Sequence, residues 1–141
     1  MASKWYDNGL LLAFEGGLIP GTTDLRCALV TATYTFSQAH NDMADITNEC
    51  TGTGYARKEL INDLAQVTSN VCEVVSDALT WTGADFGTPA GAVIYVYNAV
   101  DANARLVCFL DQNNIVTNGG DYTLKFNNAD TGGRMVSFDN S

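Results

Sequence analysis

The stretch GAVIYVYNAVDANARLVCFLDQ, Gly91 to Gln112, decides the fold class. Its first run carries Val93, Tyr95 and Tyr97 on one side of an extended chain and Ile94 and Val96 on the other, because successive side chains of a strand point to opposite faces. Apolar residues on both faces predict a central strand, covered on either side. ARLVCFLDQ, Ala104 to Gln112, is a second run of the same kind. NAVDAN, Asn98 to Asn103, lies between them and has the length of a hairpin loop.

Working outward, the rest of the chain supplies strands of the same short length. LRCALVTATY, Leu25 to Tyr34, is rich in β-formers and flanked by turn residues. GYARKELI, from Gly54, alternates in part, and DLAQVTSNVCEVV, Asp63 to Val75, holds two β-prone runs. ALTWT places Leu79 and Trp81 on one face. GGDYTLKFNN sets Tyr122, Leu124 and Phe126 opposite Thr123 and Lys125, and RMVSFDN, from Arg134, closes the chain as an edge strand. Strands spaced by roughly ten residues argue for a sandwich or small barrel over a βαβ fold. Two segments depart from this pattern. Ser3 to Phe14 reads as a short helix with Trp5, Leu10, Leu11 and Phe14 toward one face, although Asn8-Gly9 is a turn signal within it. SQAHNDMADI, Ser37 to Ile46, offers Ser37 as N-cap, with Ala39, Met43 and Ile46 at near-helical spacing. The expected architecture is mainly β: one jelly-roll-like β-sandwich over residues 21–141, preceded by an N-terminal arm at 1–20, with a short helix or structured loop near 37–46.

The 141 residues suit one domain, and 46% hydrophobic against 16% charged residues excludes a chain disordered by composition. A net charge of −9 repels phosphate backbones and anionic lipid, so nucleic acid and membrane surfaces are excluded as partners. No stretch approaches the roughly 20 apolar residues of a spanning helix. The start MASKWYDNGLLLAF lacks the basic flank and cleavage site of a secretory signal, so the chain reads as soluble and made in the cytoplasm. Cys27, Cys50, Cys72 and Cys108 lie far apart with no C-x-x-C pair, which favours buried free thiols over a zinc site. In an oxidising setting one or two disulfides remain open, with no connectivity fixed.

The candidate sites are thin. TGTGYARKEL, Thr51 to Leu60, pairs two glycines with the adjacent bases Arg57 and Lys58, yet Lys58 is followed by Glu59, so it is no Walker loop. It also lacks the third glycine and the helix of a dinucleotide fingerprint. Gly52 and Gly54 read as positive-φ or bulge positions leading into a strand, with Arg57 and Lys58 on its opposite faces and Tyr55 heading into a core or an interface. Asp42, Asp45 and Glu49 with Asn41 and Asn48 form the densest acidic cluster. Calcium would want such oxygens, but the spacing fits no EF-hand, and solvated loop is the better reading. His40 with Asp42, Asp45, Ser37, Ser69 and Ser76 lacks a nucleophile elbow, and no carboxylate pair stands out for glycoside cleavage. Trp5, Trp81, Tyr95 and Tyr97 are of the type that stacks sugars, but such residues in apolar strands fill cores or subunit interfaces more often. No catalytic, cofactor or metal residue emerges.

The order of the motifs carries more than any one of them. WYDNGLLLAFEGGL is followed by DLRCALVTATYTFSQAHNDMADI, then TGTGYARKEL, DALTWTG, AGAVIYVYN, RLVCFLDQ and GGDYTLKFNNADTGGRMVSF. This order resembles a family of small virion structural proteins of tailed bacteriophages, encoded with head genes. Their members show an amphipathic start, a KVALLTSSYT strand, a DI…GTGY segment and a late YAVIY…I.DFG…GDFTI strand set. The chain departs from that pattern at YARKEL and at FLDQNNIVTN. The resemblance implies a non-enzymatic cement or decoration protein on the capsid exterior of a virion assembled in the host cytoplasm. It implies a homotrimer whose partner is the major capsid protein, and no cofactor. Trp5, Tyr6, Leu10, Leu11 and Phe14 of the arm, and Tyr55, Arg57 and Lys58, are then the expected interface residues. For the arm, packing on its own core is the competing reading. The alternative function is a tail or receptor-facing, carbohydrate-binding virion module.

Overall fold

A computed structural model describes residues 3–68, 70–111, 115–125 and 136–139. It is mainly β, as the strand pattern predicts, and the described residues form one α-helix and three antiparallel sheets. In chain order the elements are β1 (Ser3–Trp5), α1 (Asp7–Glu15), β2 (Leu25–Thr31), β3 (Lys58–Glu59), β4 (Leu64–Thr68), β5 (Val71–Val75), β6 (Leu79–Trp81), β7 (Pro89–Val96), β8 (Leu106–Asp111), β9 (Tyr122–Leu124) and β10 (Val136–Asp139). Single 3₁₀ turns occur at Met43–Asp45 and Asp101–Asn103.

The five-stranded sheet runs β1-β8-β7-β2-β3, so β7 is the central strand that its two-sided apolar run demands. The side chains divide as the alternation requires. Ile94, Cys27, Leu29, Cys108 and Leu110 face one core, which is closed by Leu79 and Trp81 of β6 and Tyr122 and Leu124 of β9. Val93, Tyr95, Ala28 and Val30 face a second core, closed by Tyr6, Met43, Ile46 and Ala104. The β7–β8 hairpin carries a bulge, since Ile94 pairs with Cys108 but Tyr95 pairs with Leu106, which leaves Val107 as the extra residue. A third sheet, β10-β5-β4, holds the β4–β5 hairpin, turned at Asn70 with φ 68°. β10 is an edge strand there, in line with the expectation for the chain end, while Phe126 and Arg134 lie outside the described residues.

Three local expectations are corrected. The helix begins at Asp7; Ser3 to Trp5 instead form an edge strand of the main sheet, Ser3 pairing with Leu110, Lys4 with Phe109 and Trp5 with Cys108. Asn8-Gly9 does not break the helix, because Gly9 is where α1 comes closest to β8: a β-carbon there would run into the backbone of Val107. The buried helix residues are therefore Gly9 and Leu12, whereas Leu11 and Phe14 point outward. The expected N-terminal arm is thus docked on its own chain. In the 37–46 segment Asp42, not Ser37, is the N-cap. It accepts from Ala44 N, while Asp45 accepts from the Asp42 N–H in a reciprocal capping box. Met43 and Ile46 still face the core, as their spacing suggests.

Candidate functional site

The residues expected at an interface fall into two groups on opposite sides of the molecule. β1 and β3 are the two edges of the five-stranded sheet, and four inter-strand spacings put roughly 19 Å between them. Tyr6 is wholly buried, its ring 5.0 Å from Phe36 and its hydroxyl 2.7 Å from that of Tyr34, so it serves the core. Tyr55 also serves the core: its hydroxyl accepts the Leu29 N–H at 3.1 Å and its ring meets Phe86 edge-on. Gly52 and Gly54 have φ of 141° and 80°, the positive-φ positions expected of them, and each lies tight against the backbone of the 82–86 turn. Leu10 is half-buried, whereas Leu11 and Phe14 are 49% and 86% exposed.

Arg57 and Lys58 diverge to opposite faces as expected, Arg57 over Tyr95 and Lys58 over Trp81. The Arg57 guanidinium donates to Glu49 at 2.8 Å and, two-pronged, to Asp101 at 2.8 and 3.0 Å. It is a tie between three loops, not a basic patch. The same hydrogen bonds hold the Asp101 carboxyl below its ordinary value. A depressed folded-state value means that this contribution is complete above the unfolded value, near 3.8, and is lost as pH falls through the folded one. Replacing Arg57 with Met is expected to cost about 1–2 kcal/mol, a modest figure because the cluster is partly exposed. It should also flatten the fall in stability below pH 4. Urea midpoints of both forms at pH 7 and pH 3 check this; equal losses at the two values would contradict it.

The acidic cluster is likewise occupied by structure. Asp42 and Asp45 cap the 3₁₀ turn and Glu49 holds Arg57, and among the described residues no three His, Cys, Asp or Glu side chains are placed to share a metal. His40 Nδ1 lies 3.0 Å from the Tyr34 hydroxyl, and the Ser76 hydroxyl donates to the Ile61 carbonyl, so neither belongs to a Ser-His pair; Ser69 lies outside the described residues. Cys27, Cys50 and Cys108 are buried free thiols as expected, whereas Cys72 is free but exposed on β5; burial pushes the three buried thiols up, Cys50 to about 11. Cys27 and Cys108 flank Ile94 from either side, two strands or about 9.6 Å apart, too far to bridge. Trp81 and Tyr95 are buried in different cores, so the four large rings form no sugar platform.

One surface was not legible as a unit. The last turn of α1, the 17–20 loop and the β4–β5 hairpin enclose a mainly apolar groove lined by Trp5, Ala13, Leu18, Pro20, Ala65 and Val74, together with Cys72 and Glu73. Val67, two residues from Ala65 and so on the same side of β4, is 72% exposed. Phe14 follows Ala13 on the helix, with Leu11 one turn back on its face. The sequence signal was the pair of β-prone runs in DLAQVTSNVCEVV; what it lacked was their placement beside α1. No helix among the described residues is long and apolar enough to cross a membrane. No family model matches the chain, and no curated protein or solved structure matches it either.

Proposed function

We propose that this chain is a non-enzymatic decoration protein of a tailed-phage capsid, homotrimeric, which binds the assembled major capsid protein on the shell exterior and strengthens it. The whole-chain order of motifs supports the family reading. The observation that carries the binding role is the exposed apolar surface of Phe14, Leu11 and the groove beside them. Exposed apolar surface of this kind marks sites of protein association. Of the expected interface set, Trp5 lines the groove and Leu11 and Phe14 are exposed on α1; Arg57 and Lys58 lie elsewhere. A cement protein needs no single strong contact, because many copies act together and bind only the assembled form.

Shells lacking this protein are expected to open at lower temperature than complete ones, and adding the purified protein should restore them. Equal robustness with and without it would overturn the cement role. The Phe14→Asp change should weaken shell binding by about tenfold or more, a loss of at least 1.4 kcal/mol, without altering the urea midpoint. Light scattering of the purified protein is expected to give a multiple of three chain masses.

A further inference from the structure

β4 closes one side of the β10-β5-β4 sheet, and among the described residues no strand pairs with its outer side. Open edges are usually protected by a lysine, a proline, a bulge or brevity. β4 has none of these. It reads LAQVT over five residues, holds an unbroken register with β5 from Leu64↔Val75 to Thr68↔Val71, and exposes Leu64, Ala65, Gln66 and Val67. In a chain of net charge −9, it is also a strand without a single ionisable side chain. A second copy of this chain can therefore approach there without meeting like charge at the seam.

The order of residues is self-complementary as well. In an antiparallel pair centred on Gln66, Leu64 lies opposite Thr68 of the other copy, Ala65 opposite Val67, and Gln66 opposite Gln66. Small meets large on the groove side, while Gln66 at the two-fold axis keeps its amide on Glu73 of its own sheet, at 2.9 Å. We propose that β4 is a homotypic edge: two copies of this chain join by antiparallel β4–β4 pairing about Gln66, continuing β10-β5-β4 into a six-stranded sheet. The two-fold closes this seam, since each copy uses its β4 edge once. Pairing through the backbone keeps both apolar grooves on one face, and the inference stands whether or not the chain binds a capsid.

Register makes the test sharp. At the two-fold, residue 66 faces itself with α-carbons about 4.5–5.5 Å apart, inside disulfide range, whereas residue 67 meets its own copy only diagonally, at about 7–8 Å. In a Cys72→Ser background, Gln66→Cys is expected to give a disulfide-linked dimer on mild oxidation, and Val67→Cys is not. Val67→Lys, at an exposed position that leaves the fold intact by circular dichroism, should lower the mass of the wild-type assembly by at least half. Because the two bodies repel at long range, the association should tighten as salt is raised through about 0.1 M, where the screening length is about 10 Å. A wild-type chain that stays monomeric at high concentration would overturn homotypic pairing and leave the edge to a strand of a different protein. So would Val67→Cys linking as readily as Gln66→Cys, or an assembly mass unmoved by Val67→Lys. Loss of shell binding by Phe14→Asp with the β4 link intact would separate the two surfaces.

Discussion

Trp81→Ala is expected to remove about 3–5 kcal/mol of folding stability, a large share of the roughly 5–15 kcal/mol that holds such a domain together. Trp81 is 1% exposed and sits on β6 with its ring facing Tyr122 of β9, directly opposite in register. It is thus the largest side chain between the two-stranded sheet and the five-stranded one. Its indole N–H also donates to the Ala56 carbonyl at 2.7 Å, which fixes the turn leading into β3. Truncation leaves a ring-sized cavity and an unanswered carbonyl together. Trp81→Phe separates the two, since it keeps most of the packing and loses only the donor, for an expected 1–3 kcal/mol. Urea unfolding at constant slope measures both. A loss below about 1 kcal/mol for the alanine variant would show that Trp81 does not join the sheets.

Gly9→Ala is expected to destabilise by about 3 kcal/mol, against the sign that helix propensity gives. In an exposed helix the change gains about 1 kcal/mol, because alanine is the better helix former. Here the added methyl would press on the Val107 carbonyl, and that backbone cannot yield like a side chain. Val107 is the bulged residue of β8, and its carbonyl accepts the Tyr6 N–H at 3.1 Å, so the helix is pinned at the point where it would have to move. The variant should show faster hydrogen exchange in residues 7–15 along with its lower urea midpoint. A more stable variant would mean that α1 does not pack as closely as described.

How legible the molecule was depends on the range of the interaction behind each feature. The alternation in GAVIYVYN is local, and the structure keeps it residue for residue, with Val93 and Tyr95 in one core and Ile94 in the other. The same holds for Leu79 and Trp81 about Thr80, and for the positive-φ glycines of TGTGY. Asn8-Gly9 misled because the same dipeptide that turns a free chain also permits close approach, and only the partner backbone decides which. The site was less legible than the fold. Exposed Phe14 and Leu11 stood in the expected set, but beside them were Tyr6 and Tyr55, which are consumed by the cores. Arg57 drew notice as half of a basic pair, yet its role rests on Asp101, 44 residues away.

By itself, then, the sequence determined the class of fold, the central hairpin and the division of side chains between two faces. Those follow from periodicity and turn chemistry, which act over a few residues. Only the tertiary structure decided that the N-terminal segment docks on β8, that β4 and β5 form a hairpin whose outer edge no described strand pairs with, and that the acidic residues are spent on caps and on Arg57. Each of these is a pairing between distant parts of the chain, and a strand's pattern says which face it buries without saying against what.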